Sequence, residues 1–286
     1  MLAQFIINGI VIGCAYTLVA LGLTLMFGIM HIVNFAHGEI YMLGAFVTFF
    51  LTKALGGNFL LAIVLSMVVI YVLGMVLERL TFRPLYGKAH INMFLVSIGL
   101  VTFLQYGSSI VFGADSRTME TPYSGQSIRF LGLFITQERA LVVIVTLVLI
   151  GCLYLLIQKT KIGRAMRAAA QNPIGAGMVG VDIKQVSSFA FAVGCALAAA
   201  AGSLLGPIFS ISPFMGSMPV MKAFNVMILG GMGSVPGAIL GGFLLGLTES
   251  LAGGYFLYEY KDAIGFVVLI LVLSLRPAGL LGKKVN

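Results

Sequence analysis

Four polar residues interrupt an apolar stretch near the N-terminus: His31, Asn34, His37 and Glu39 fall where hydropathy predicts membrane. In a helix, a spacing of three places His31, Asn34 and His37 near one face. Ionisable groups inside a membrane are energetically expensive and are usually functional. Three interpretations stay open, since such a group can cap a broken helix, line a gate or pathway, or relay protons. The candidate gate residues are Asn34, His37, Gly38 and Glu39.

A second unusual segment covers residues 229–238, where four glycines and a proline disfavour a regular helix. Its candidate gate residues are Gly230, Gly231, Gly233 and Pro236. Interrupted hydrophobic segments at corresponding positions of two halves indicate a transport site built from an internal repeat. The pairing of 27–39 with 229–238 predicts such a repeat, which is either parallel or inverted.

The polar loop 159–184 contains the signature of a short helix of its own. Asn172 is a favourable N-cap, Pro173 suits the first helical position, and Gly180 suits the left-handed C-terminal stop. A short rigid helix on an inner loop is suited to receive force from a soluble partner. An interfacial amphipathic helix anchored by basic residues is the equally weighted alternative.

The composition indicates that lipid is the solvent around these elements. Of 286 residues, 60% are hydrophobic and 9% are charged, and the mean hydropathy is +1.09, whereas about 25% of the residues of a soluble domain are charged. We predict an all-α polytopic membrane protein with a single transmembrane domain over 1–286. It has about eight spanning helices of roughly 20 residues, two broken or re-entrant segments and an internal repeat.

Prolines and charges refine this outline. Pro207, Pro213 and Pro219 predict a helix over 185–206 followed by an irregular outer segment over 207–221. Basic residues concentrate near 79–88, in 159–184 and near the C-terminus, whereas the polar loop 113–139 carries balanced charges. Because Lys and Arg mark cytoplasmic loops, we expect the C-terminus and 159–184 inside, and 113–139 and the N-terminus outside.

Several functions find no support in the chain. The net charge of +8 is explained by membrane topology, so we expect no nucleic-acid partner. The chain has no phosphate-binding loop of the G-x-x-x-x-G-K-[ST] type, no nucleophile elbow and no H-E-x-x-H motif. Cys14, Cys152 and Cys195 lie in apolar runs and are expected to be buried thiols rather than metal ligands. No cleavable signal peptide is expected, because no basic segment precedes the first apolar run.

Several motifs in order resemble those of one family, the LivH-type permeases of bacterial branched-chain amino-acid ABC importers. The resemblance covers nearly the whole chain. It is carried by Asn8-Gly9, Leu21-Gly22-Leu23, Val33–Glu39 (VNFAHGE), Arg164–Ala168 (RAMRA), Asn172–Val181 (NPIGAGMVGV), Leu229–Ala238 (LGGMGSVPGA) and Arg276–Leu280 (RPAGL).

The resemblance implies a multi-subunit transporter in the bacterial inner membrane. Such a subunit pairs with a second homologous permease, two cytoplasmic ATPases that bind ATP and Mg, and a periplasmic substrate-binding protein, and it binds no cofactor itself. By similarity, 164–182 is the coupling loop, whose helix from Pro173 to Val179 enters a groove on an ATPase. The coupling residues are then Arg164, Arg167, Asn172, Pro173, Ala176, Gly180 and Asp182. Unlike the loop of other importers, no Glu leads Ala168-Ala169-Ala170.

Two other functions compete with this one. The same type of permease also serves urea or short amides, because related importers share the motifs. A stand-alone secondary transporter or channel driven by ion gradients is the third interpretation, and it requires intramembrane acids as ion sites, with Glu249 as a second candidate beside Glu39.

Overall fold

The computed structural model describes residues 2–130, 133–255 and 258–282, so Lys283 and Lys284 of the basic C-terminus lie outside the described residues. Short non-α turns cover Glu78–Phe82, Arg83–Leu85 and Tyr258–Tyr260. The helices are α1 (Leu2–Met30), α2 (His37–Ala54), α3 (Phe59–Leu77), α4 (His90–Phe112), α5 (Gln137–Lys159), α6 (Lys161–Gln171), α7 (Pro173–Met178), α8 (Ile183–Leu205), α9 (Ser217–Gly230), α10 (Val235–Tyr255) and α11 (Lys261–Leu275), with an antiparallel hairpin of β1 (Ser127–Phe130) and β2 (Leu133–Thr136).

The predicted class, an all-α polytopic membrane protein, is confirmed. Six helices of the described residues are long and apolar enough to cross a membrane: α1, α3 with its extension, α4, α5, α8 and α10. The predicted number of about eight is not established, because α2 carries polar residues and α9 and α11 are short.

Helices α1 and α8 form the centre of the bundle, and α4 and α5 lie at its outside. Gly194, Ala198 and Gly202, spaced by four, form a buried small-residue face on α8, with Gly202 against the backbone of Tyr41. Small side chains allow membrane helices to approach this closely. Of the three cysteines, Cys14 and Cys195 are buried, but Cys152 is exposed on α5, so the expectation of burial is wrong for that residue.

The first predicted break is present, and it returns the chain into the bundle. Helix α1 ends at Met30, and His31 has a positive φ of 54°, which a non-glycine residue adopts rarely. Residues 31–36 then run back along α1, so that α2 begins beside Val19 and Gly22. Therefore α2 starts inside the bundle rather than at its edge.

The second break lies at 206–216, between α8 and α9, and not at 229–238. Ile211 forms paired backbone hydrogen bonds of 2.8 Å with Arg117, and the segment then leads inward to Gly216. Helix α9 begins at Ser217, so the irregular segment predicted over 207–221 wrongly includes the first turn of this helix. Pro219 falls in the first turn of α9, where the backbone N–H has no partner within the helix.

The two halves of the chain form an inverted repeat, in which α1–α4 correspond to α8–α11. Equivalent pairs of helices make equivalent contacts. The contact of α1 with α10 corresponds to that of α8 with α3, and the contact of α1 with α9 corresponds to that of α8 with α2. Two reciprocal glycine contacts join equivalent positions of the two halves. A Cβ on Gly22 would collide with the carbonyl oxygen of Gly194 and the reverse, and the same holds for Gly38 and Gly216.

The two ends of the bundle differ in chemistry. At the end that we call the hairpin end, Gln4 of α1 exchanges hydrogen bonds of 2.9 and 3.1 Å with Phe134 of β2. At the opposite end, called the α6–α7 end, α6 contacts α1 and α8, and Gly28 lies against Gly233. The inner basic clusters predicted from the sequence, 79–88 and 159–184, lie at the α6–α7 end.

Candidate functional site

The polar residues that follow α1 anchor the start of α2. His37 is fully buried, and its Nε2 lies 3.1 Å from the carbonyl oxygen of Val19. The Asn34 side chain accepts a 3.1 Å hydrogen bond from the backbone N–H of Ala36 and thereby turns the chain into the helix. Gly38 meets Gly216 at the start of α9. These contacts make the cluster a junction between the two halves.

Glu39 completes this group from the other side of α2. It is 1% exposed, and its Oε1 accepts a 2.9 Å hydrogen bond from Gln105 of α4. Among the described residues no partner reaches Oε2. The structure thus brings Asn34, His37, Gly38 and Glu39 together, whereas His31 is exposed at the end of α1. Their role as a gate stays a prediction.

The glycine-rich segment neither spans nor re-enters but forms a tight turn between α9 and α10. Gly231 and Gly233 have φ values of 105° and 80°, which glycine alone adopts without strain. Gly230 packs against Gly237, and Pro236 lies in the first turn of α10. Since this turn lies beside Gly28, it is separated from the His37 cluster by roughly 9 Å of α1.

The loop helix forms as the sequence predicts. The Asn172 side chain accepts a 2.9 Å hydrogen bond from the N–H of Gly175, Pro173 begins α7, and Gly180 has a φ of 86°. Asp182 caps α8 by accepting from the N–H of Gln185 at 3.1 Å. Of the coupling candidates, Ala176 is buried against its surroundings at 5% exposure.

Helix α7 presents an apolar surface at the α6–α7 end. Ile174, Met178 and Val179 are 74%, 83% and 80% exposed, and we call these three residues the apolar tip. Behind the tip, α6 buries Met166 and Ala169, and the Arg167 guanidinium donates to the carbonyl oxygen of Ile157. Arg164 is exposed beside it. The backbone of the tip is therefore supported by α6, whereas the three side chains of the tip are exposed.

A cavity of about 570 Å³ lies at the hairpin end between α1, α9 and α10, and we call it the hairpin-end cavity. Its walls are mainly apolar, with Val11, Ile12 and Ala15 on α1 and Ile208 and Met215 before α9. Its polar lining includes Asn8, Arg139, Ser210, Ser250 and Lys261. Volumes of this order hold small-molecule ligands in proteins.

An ionic triad lies in the wall of the cavity and connects three helices. The Lys222 ammonium of α9 contacts Glu249 of α10 and lies 2.7 Å from Oδ1 of Asp262 at the start of α11. The side chains of Lys222 and Glu249 are 8% and 2% exposed, and that of Asp262 is 37% exposed. Tyr16 of α1 donates a 2.7 Å hydrogen bond to Glu249.

Sequence reasoning missed Lys222, Asp262 and Tyr16 and considered Glu249 only as an isolated acid. The available signal was Lys222, the single charge that separates the apolar runs 185–221 and 223–248. A lysine in such a position needs a buried partner. The predicted gate residues do not line the hairpin-end cavity, although their neighbours Val19 and Tyr41 do.

Comparison with known proteins places the chain in a family. Residues 5–273 match the model of the family described as "Branched-chain amino acid transport system / permease component". The chain belongs to this family. The permease is 36% identical to the high-affinity branched-chain amino acid transport system permease protein LivH of Escherichia coli (strain K12), over 98% of this chain and 95% of that protein.

Two further relatives agree with that placement. The permease is 36% identical to BraD, a high-affinity branched-chain amino acid transport system permease protein of Pseudomonas aeruginosa, over 98% of this chain and 95% of BraD. It is 30% identical to a probable branched-chain amino acid transport permease protein LivH of Methanocaldococcus jannaschii, over 93% and 88%. No solved structure matches the permease.

The family fixes the kind of function. The predicted permease function is confirmed, and the permease is a transport component rather than an enzyme. Its apolar helices and its family make it a multi-pass membrane protein. The alternative of an unrelated secondary transporter finds no support in these relatives.

Proposed function

We propose that this permease is one of two membrane subunits of an ABC importer for branched-chain amino acids in the bacterial inner membrane. The names of its relatives support the substrate class. The apolar tip of α7 is the observation that carries the rest, because three large apolar side chains on a capped, supported helix fit an apolar groove on a partner. Exposed apolar clusters of this kind mark sites of protein association.

The partner in this proposal is a soluble ATPase, and the α6–α7 end faces the cytoplasm. Basic loops gather at that end, as expected for cytoplasmic loops. Two ATPases bind ATP and Mg, a second permease completes the pathway, and a periplasmic protein delivers the substrate to the hairpin end. The C-terminus then lies in the cytoplasm.

The coupling step follows from how α7 is attached. When ATP binding moves the ATPases, the tip moves with them, and Arg164, Arg167 and Asp182 transmit the displacement to α5, α6 and α8. A ligand shifts a conformational equilibrium only if it contacts the two states differently. Ala176 joins α7 to the body of the permease, since it is buried and its carbonyl oxygen accepts a 3.0 Å hydrogen bond from the N–H of Val181.

Replacing Ile174 by Asp tests the proposal. A charge at the centre of an apolar contact should lower substrate-stimulated ATP hydrolysis of the reconstituted complex at least about tenfold. Gln185→Asp is the matched control, because it adds the same charge at the same end to an exposed polar position. The membrane level of both variants should equal that of the unmodified permease, since neither side chain is buried. Full stimulation in Ile174→Asp would contradict the docking role of α7.

A further inference from the structure

The hairpin-end cavity combines an apolar wall with buried charges. Lys222 and Glu249 are almost fully enclosed, yet removing charges from water is energetically costly, and a buried ion pair often stabilises a fold less than apolar residues would. Ionisable residues within a membrane bundle tend to mark the route of a substrate or ion. These features suit a triad that binds a ligand in addition to linking the three helices.

We propose that the hairpin-end cavity is a substrate site for a zwitterionic α-amino acid with an aliphatic side chain, with the ionic triad as the group that recognises both of its charges. The proposal rests on the proposed importer function and adds to it a binding site within this chain. In it, the substrate ammonium binds Asp262, and the substrate carboxylate binds the Lys222 ammonium, which keeps Glu249 as its buried partner.

Charge balance favours a zwitterion over other ligands. In the structure, Lys222 contacts two carboxylates, so these three side chains carry one net negative charge when both acids are ionised, and Arg139 and Lys261 lie elsewhere in the lining of the cavity. A zwitterion inserts between Lys222 and Asp262 and replaces one ion pair by two, so every charge keeps a partner. A neutral amide or urea supplies neither charge, and a simple carboxylic acid supplies no cation for Asp262.

The position of Asp262 makes this exchange feasible. Its side chain is 37% exposed, whereas that of Glu249 is 2% exposed and is also held by the Tyr16 hydroxyl at 2.7 Å. The contact between Lys222 and Asp262 is thus the one that opens to an incoming ligand. The apolar residues of the wall, Val11, Ile12 and Ala15, lie on the same cavity and accept the aliphatic side chain.

Protection of an engineered cysteine tests the site without requiring transport. Ser210 lines the cavity and is exposed, so Ser210→Cys should react with a membrane-impermeant maleimide in the assembled complex without its binding protein. The unmodified permease, which retains its native cysteines, gives the background. We expect leucine to slow the labelling, and leucinamide and 4-methylpentanoate, which each carry one of the two charges, to slow it much less at equal concentration.

Asp262→Asn in the Ser210→Cys background tests the triad itself. Loss of one charge-assisted contact should raise the leucine concentration needed for half-protection by about tenfold. Glu259→Gln removes the same charge from an exposed residue three positions away and should leave it unchanged. Because Asp262 is partly exposed, the Asn variant should fold; the double variant Lys222→Met, Glu249→Gln, which removes both buried charges together, should abolish protection.

The outcomes separate this site from the function on which it rests. If the complex imports leucine but leucine does not slow labelling of the Ser210→Cys variant, the proposed site is wrong and the importer function stands. The same conclusion follows if leucinamide and 4-methylpentanoate protect that variant as well as leucine does. Unchanged half-protection in Asp262→Asn also overturns the site. If the complex with its binding protein imports no branched-chain amino acid, the proposed function itself fails.

Discussion

At the scale of single residues, Gly38 occupies a tightly packed position where the two halves of the chain meet. A Cβ there would meet the carbonyl oxygen of Gly216 and lie 2.9 Å from the Cβ of Val220, so it would collide with backbone that cannot rotate away. Packing between the two halves thus depends on a hydrogen atom at this position. Whether Gly38 also acts in a gate is decided by the following substitution.

We expect Gly38→Ala to destabilise the permease by about 1–3 kcal/mol through overpacking. The melting temperature of the detergent-solubilised complex measures this effect. Gly99→Ala is the control, because an added Cβ on α4 meets nothing within 4 Å, and alanine is the better helix former. A stable Gly38→Ala variant with altered uptake would instead support the gate.

The contacts of Gly38 could not be predicted from the sequence, and those of Asn172 could. Asn172 caps a turn made by its next three residues, so its chemistry is local. Gly38 and Gly216, by contrast, are joined only by the folded topology. The same limit hid the triad, since Lys222, Glu249 and Asp262 lie on three different helices.

At the scale of elements, α7 depends on its N-cap because it is only 6 residues long. Helices this short are unstable without caps and tertiary contacts. Its one buried side chain is that of Ala176, so packing adds little. The cap therefore holds the apolar tip in place.

Asn172→Ala should destabilise α7 by about 1 kcal/mol and lower substrate-stimulated ATP hydrolysis several-fold, whereas Asn172→Asp should preserve it. Asn58 supplies the matched control. It caps α3 at the hairpin end by accepting a 3.2 Å hydrogen bond from the N–H of Leu61, so Asn58→Ala removes the same kind of bond away from the ATPase. Equal loss in both variants would indicate general destabilisation rather than coupling.

The sequence predicts helix boundaries correctly where a single local signal decides them, as Asn172 does at the start of α7. The predicted irregular segment extends past Pro219 because proline fits an irregular segment as well as the first turn of a helix, where Pro219 lies. The glycines of 229–238 misled the assignment because α9 and α10 tolerate glycine at their ends. Only the packing of α9 against α1 and α10 shows where the irregular chain stops.

At the scale of the whole molecule, the inverted repeat and the distribution of charge define an orientation. Helices that correspond by the repeat run in opposite directions, so hydropathy alone cannot orient the chain. The basic loops at the α6–α7 end resolve this ambiguity and predict that end to be cytoplasmic.

Single cysteines test the orientation in intact cells. Glu120→Cys, in the polar loop at the hairpin end, should react with an impermeant maleimide from outside, and Lys184→Cys should react only after the membrane is opened. The unmodified permease controls for labelling of the exposed Cys152. The reverse pattern would place the hairpin end in the cytoplasm and the α6–α7 end outside, and would contradict the predicted orientation.

The breaks before α2 and α9 also have a consequence for biogenesis. Insertion machinery selects segments that are long and apolar. Helix α2 meets that criterion poorly because His37 and Glu39 lie in its first turn, and α9 meets it poorly because it has only 14 residues. Both pack against helices that meet it well, α2 on α8 and α9 on α1. Since α8 is synthesised after α2, we expect α2 to complete its packing only once the C-terminal half has been inserted.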